Sequence, residues 1–182
     1  MRLFIALDLP ERTADNLERS ASQLKQLSIG GRFVAKQNYH LTLHFLGEVA
    51  ESDVMYVQAA MDEIRNLPAP TLAVLQIAMM RTGDLVYAKI KNAPELITLH
   101  EKLGSALENL RFAVEHRAYR PHVTLARKAA FSLPFSEVTK NVTVFNAPFC
   151  ANKVVLYASA LGNDGPTYMP LYTVTLPTAD KD

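Results

Sequence analysis

Apolar positions change their period several times along the chain, and each change marks an element. The opening run from Arg2 to Leu9 is nearly all apolar up to Pro10 and predicts a strand. From there Leu17, Ala21, Leu24 and Leu27 recur at helical spacing through residues 10–27, with Pro10 placed to start the helix. Gly30-Gly31 predicts a break, RFVAK (32–36) a short strand, and HLTLHFLG (40–47) an alternating strand closed by glycine. Val54, Val57, Met61 and Ile64 space out a second helix that LPAP (67–70) stops. Residues 71–80 and 85–91 read as two strands turned at Thr82-Gly83-Asp84. Leu96, Leu99, Leu103, Leu107 and Leu110 trace a third helix. The remainder is strand-like, over 122–127, 142–149, 152–161 and 168–176, parted by polar or Gly/Pro stretches such as GNDGP.

Strands gathered around three helices predict an α+β fold with mostly antiparallel pairing. A chain of 182 residues is long enough for a real core and short for two independent domains, so one body spanning 1–182 is expected. If it has two lobes, they divide somewhere between residues 65 and 120.

Composition narrows the function classes. The chain is 49% hydrophobic and 20% charged with only 7 glycines, the profile of a globular protein. A net charge of +1 argues against wrapping a long duplex, because each neutralised phosphate needs its own cation. A small anion or a strand end stays within reach, and Arg117, Arg120, Arg127 and Lys128 are the nearest thing to a basic cluster. No apolar run approaches the ~18 residues that span a bilayer. MRLFIALDLPER is too short in its apolar part and too acidic in its flank for a secretory signal, so a cytoplasmic protein with no membrane partner is expected. The one cysteine, Cys150, has no internal disulfide partner and offers no CxxC clip; a buried or half-buried place on a C-terminal strand is expected of it. Monomer is the expected state.

The chemistry concentrates in two short stretches. NYHLTLHFLGEV (38–49) and RPHVTLAR (120–127) each set a histidine two places before a threonine inside an apolar frame. Alternation along a strand puts His40 and Thr42 on one face above Leu41 and Leu43, and His122 and Thr124 on one face above Val123 and Leu125. Two such faces brought together suit a tetrahedral anion. One neutral imidazole can take a proton, the other, protonated, can give one, and the hydroxyls can donate to the oxygens where charge collects. His44 shares the face of His40 if the strand stays regular, either lining the rim or ending the strand in solvent. His100 and His116 read as surface or capping residues. A zinc site of His40, His44 and His122 can be drawn, but it leaves both threonines without a role.

On these motifs the chain resembles the two-histidine (2H) phosphoesterases, most closely their bacterial branch of RNA 2′,3′-cyclic phosphodiesterases, also called 2′-5′ RNA ligases. The resemblance takes in the opening RLFIALDLP, FLGEV after the first motif, the arginine trailing the second, and the final Tyr-x-Pro-x-Tyr-x-Val-x-Leu strand. It implies a bilobal fold, two mostly antiparallel sheets with outer helices around a central cleft, the lobes related by an approximate two-fold. Each lobe would offer one motif, 40–43 and 122–125. The activity implied is hydrolysis of an RNA or nucleotide 2′,3′-cyclic phosphate to a 2′-phosphomonoester without metal or nucleotide cofactor, and also 2′-5′ joining in some members. Carried over, His40 is the proton donor, His122 the acceptor, Thr42 and Thr124 the phosphate-binding hydroxyls. Arg127 would hold phosphate or nucleotide, although strand parity turns it away unless a bulge, the strand's end or its long stem brings it back. Phe4, Tyr39 and Tyr119 are candidates to stack on a base, with core packing the competing role for Phe4. The other classes to weigh are a non-catalytic module that binds RNA ends and a metal-dependent hydrolase that uses the histidines as ligands.

Overall fold

The computed structural model describes residues 1–162 and 165–178. In chain order these form β1 (Arg2–Asp8), α1 (Glu11–Leu27), β2 (Ser28–Phe33), β3 (His40–Glu48), α2 (Val54–Asp62), β4 (Thr71–Leu72) and β5 (Val74–Met79). There follow β6 (Leu85–Ile90), α3 (Pro94–Asn109), β7 (His122–Phe131), α4 (Phe135–Thr139), β8 (Phe149–Cys150), β9 (Lys153–Gly162) and β10 (Gly165–Thr175). Two four-stranded sheets result, in the orders β10-β9-β1-β3 and β2-β7-β6-β5, with β4-β8 as a small ribbon. Every strand pair among the described residues is antiparallel.

A strand-helix-strand order recurs. In β6-α3-β7 a helix carries the chain between antiparallel neighbours, as α1 followed by β2 does between β1 and β3, and the second strand of each pair opens on a motif histidine. The two motifs therefore lie in different sheets.

Both sheets drain into one apolar core. It runs from Leu3, Ile5 and Leu7 through Leu41 and Leu43 to Val123 and Leu125, with Leu96, Leu99 and Leu103 of α3 among them. α1 buries Ala14, Leu17, Ala21 and Leu24, a stripe at helical spacing that includes three of the positions named above. Leu41 and Leu125 are wholly buried, worth about 1.5–3 kcal/mol each, so each motif is nailed down from beneath.

Several expectations need correcting. Gly30-Gly31 does not break the chain but lies within β2. Gly31, at φ 117, passes so close to β7 that a Cβ would sit 2.4 Å from the Ala129 Cα; the glycine pair serves a close backbone approach at an irregular pairing. Residues 142–148 form no strand, because α1 supplies the partners a ladder would have offered. Ser20 donates to the Thr143 carbonyl at 2.6 Å and the Gln23 side-chain oxygen accepts from the Thr143 N–H at 2.7 Å. Cys150 is exposed, since in the β8 ribbon it is Phe149 that packs toward the core. Among the described residues no helix is long and apolar enough to cross a membrane.

Candidate active site

The two motifs repeat one local geometry. His40 and Thr42 are half-buried above buried Leu41 and Leu43; His122 and Thr124 are half-buried above Val123 and Leu125. His40 Nδ1–H donates to the Asn38 carbonyl at 2.8 Å, and His122 Nδ1–H donates to the Arg120 carbonyl at 2.8 Å. A carbonyl can only accept, so each ring carries its proton on Nδ1 and keeps Nε2 for a substrate. The tautomers are set by backbone alone, two residues upstream in both cases.

Each motif is also followed by the same irregularity. In the β1–β3 ladder Ala6 faces Thr42 and Ile5 faces His44, so Leu43 is the extra residue. In the β6–β7 ladder Tyr87 faces Thr124 and Val86 faces Ala126, so Leu125 is extra. A bulge adds one residue and reverses the alternation beyond it. The reversal brings Arg127 onto the face of His122 and Thr124, which answers the parity objection. It also turns His44 inward, to 4% exposure, and brings Phe45 out on the His40 face at 62%. The expected rim or solvent place for His44 is thus corrected, and the zinc set with it: His44 lies on the opposite side of its strand from His40. Among the described residues no cluster of three or more His, Cys, Asp or Glu could hold a metal.

The two strands face one another electrostatically. Burial is the main influence on His40 and pushes its protonation below the ordinary histidine range; the Asn38 carbonyl and the Asp8 carboxylate oppose this, while the charges of His122 and Arg127 reinforce it. Groups from both sheets therefore act on one imidazole. Arg127 also acts on Tyr168 of β10.

Phe4 is not a base platform. It is 3% exposed and forms the floor under His40, their ring centroids 4.8 Å apart, with Tyr157 at 5.3 Å and Tyr168 at 4.9 Å around it. Tyr39 is likewise buried, and burial drives its hydroxyl up to about 12. Tyr119 has other commitments: its ring stacks on His100 at 4.0 Å and its hydroxyl donates to the Thr42 carbonyl at 2.9 Å. It ties the loop before β7 to the first motif instead of presenting a face to a base. His100, expected at the surface, is the middle ring of this stack, 4.3 Å from His44, whose Nε2–H donates to the His100 carbonyl at 2.9 Å. His116 is exposed and lies 3.3 Å from Glu108, as a surface residue does.

Phe45, Asp8, Tyr157 and Tyr168 line the His40 side and were not singled out from sequence. A groove of about 390 Å³ lies between α1 and residues 144–147 and contains none of the motif residues. The assignment of the site rests on paired chemistry and not on concavity.

Known proteins are similar to this one over nearly the whole chain. The family described as LigT like Phosphoesterase matches residues 7–84 and 90–168. An Escherichia coli K12 protein named RNA 2′,3′-cyclic phosphodiesterase is 30% identical over 172 residues, covering 93% of each chain. A Thermotoga maritima protein of the same name is 25% identical over 176 residues, covering 94% of each. Among solved structures, a Thermus thermophilus protein superposes with a TM-score of 0.81 at 28% identity, covering 96% of this chain and 97% of that one. E. coli LigT complexed with 3′-AMP gives 0.80 at 29% identity, with 96% and 97% covered. With two His-x-Thr strands in two antiparallel sheets and relatives that cover more than nine-tenths of it, the chain belongs to the LigT-like phosphoesterase family.

Proposed function

We propose that the protein hydrolyses a terminal RNA or nucleotide 2′,3′-cyclic phosphate to a 2′-phosphomonoester, with His40 and His122 as acid and base. The observation that carries this reading is the matched pair of imidazoles, each locked by a backbone carbonyl two residues upstream so that Nε2 is free. His122 Nε2 takes a proton from water as its oxygen attacks phosphorus. The bond from phosphorus to the ribose 3′ oxygen breaks, and His40, entering the step protonated on both ring nitrogens, gives that oxygen the proton on Nε2. Thr42 and Thr124 donate to the non-bridging oxygens, where hydrogen bonds count most in the transition state. Arg127, returned to the face by the bulge, adds a fixed positive charge. The exposed ring of Phe45 takes the base. With a 5′ hydroxyl in place of water the same step would give a 2′-5′ bond, His122 taking the hydroxyl's proton and His40 again protonating the ribose 3′ oxygen.

The test is to incubate the protein with 2′,3′-cyclic AMP and with a short RNA bearing a cyclic end, then separate 2′- from 3′-monoester. Production of the 2′-monoester, undiminished by chelator and abolished in His40→Ala and in His122→Ala, is the expected result. Binding without turnover would instead identify a module that holds RNA ends, and loss on chelation would identify a metal-dependent hydrolase.

A further inference from the structure

The two histidines are equivalent in their backbone geometry, and nothing in the motifs themselves says which one should hold a proton. The ladders break the tie. In β1–β3 the residue directly opposite His40 is Asp8; in β6–β7 the residue directly opposite His122 is Lys89. Directly opposed residues of an antiparallel pair share a sheet face, with Cβ atoms roughly 4.5–5.5 Å apart. We propose that this difference divides the labour, with Asp8 as a positioning residue: its carboxylate, opposite His40, holds a proton on that imidazole, while no carboxylate stands opposite His122. The proposal rests on the hydrolase reading above and refines it.

Asp8 is built for this. The Tyr157 hydroxyl donates to its Oδ1. That hydroxyl is fixed by its ring, stacked on Phe4 at 5.3 Å, and Phe4 is the floor beneath His40. No Lys or Arg forms an ion pair with Asp8 among the described residues, so its charge is not engaged elsewhere there. The other groups facing His40 are the Asn38 carbonyl, the edge-on ring of Tyr168 at 5.2 Å, the ring of Tyr157 at 6.5 Å, and His122 and Arg127 from β7. Burial, His122 and Arg127 all drive the proton off His40, and among the described residues Asp8 is the carboxylate that draws it back. Without it an imidazole in this setting seldom carries the proton that an acid must give.

The deciding experiment follows His40 by NMR across pH in the free protein and, beside it, hydrolysis of 2′,3′-cyclic AMP. In Asp8→Asn the His40 midpoint should fall by about half to one pH unit. At pH values above that midpoint the rate follows the protonated fraction, so it should drop about threefold to tenfold. Asp8→Glu should recover most of both, which a merely structural loss would not allow. An unmoved His40 midpoint in Asp8→Asn overturns the proposal. The titration needs no substrate, so a wild-type chain inert toward cyclic phosphate whose His40 still responds to Asp8 refutes the hydrolase reading alone.

Discussion

Gly104 sits inside α3, where glycine costs about 0.8–1.0 kcal/mol relative to alanine. Replacing it should therefore stabilise the helix, and on the present structure it should not. A Cβ at 104 would lie 3.1 Å from His44 Cε1 and 3.4 Å from Nε2. That is inside the roughly 3.5–4.0 Å at which carbon atoms attract. His44 has nowhere to go: Nε2–H is bonded to the His100 carbonyl at 2.9 Å and the ring is stacked on His100 at 4.3 Å. Overpacking of this kind costs about 1–3 kcal/mol. Set against the helix gain, Gly104→Ala should destabilise by about 0.5–2 kcal/mol, or about 1–8 °C in Tm for a chain of this length. In a His44→Ala background the obstruction is gone and the same substitution should stabilise by about 1 kcal/mol. The assay is a double-mutant cycle in urea, read from the midpoints with the slope held constant. A coupling below about 0.5 kcal/mol, or a stabilising Gly104→Ala in the presence of His44, would show that the glycine does not exist to admit this histidine.

Two further outcomes follow from the same set of contacts. Burial, with the neighbouring His44 second, lowers His100 to about 4, and burial lowers His44 as well. Both are neutral in the fold and take up protons near pH ~6.5 when unfolded, so stability should be full above pH ~6.5 and decline as the pH falls toward about 4, a slope that His100→Phe should flatten in a chemical-denaturation series. Thr42→Val and Thr124→Val should each lower kcat for cyclic AMP by about 10²–10³ with little change in the unfolding midpoint, since each removes one donor to the developing charge and almost no volume; a loss confined to KM would contradict that role.

The parts legible in the sequence were those governed by a period that the chain obeys. α1, α2 and α3 show their buried stripes at helical spacing, and the strands carrying the motifs read as alternation because one face of each is buried. Residues 142–148 failed for a different reason. Their apolar alternation is genuine, but Ser20 and Gln23 of α1 satisfy the backbone there, and a side chain 120 or more residues away leaves no local trace. Tyr119 and Phe4 carry the right chemistry for base stacking; only coordinates reveal that one is occupied by His100 and Thr42 and the other is a floor.

The bulges are the instructive case, because one hidden feature accounts for one failed reading and one settled doubt. A strand that kept its alternation past Thr42 would expose His44 and bury Phe45, and past Thr124 it would turn Arg127 away. Inserting one leucine after each threonine reverses all three, and the price is small because the extra leucine is itself buried core, Leu43 at 4% and Leu125 at 0%. The extra Leu125 carbonyl is not wasted either, since it accepts from the Val34 N–H at 2.8 Å. His-x-Thr-Leu is thus a longer device than a histidine and a hydroxyl in line. The leucine converts the fifth residue after the histidine into a third member of the polar face, an aromatic ring in one sheet and a guanidinium in the other. Two halves with the same backbone plan consequently differ in what they present: an exposed aromatic ring on the His40 face and a guanidinium on the His122 face, which the proposed reaction would use for the base and the phosphate.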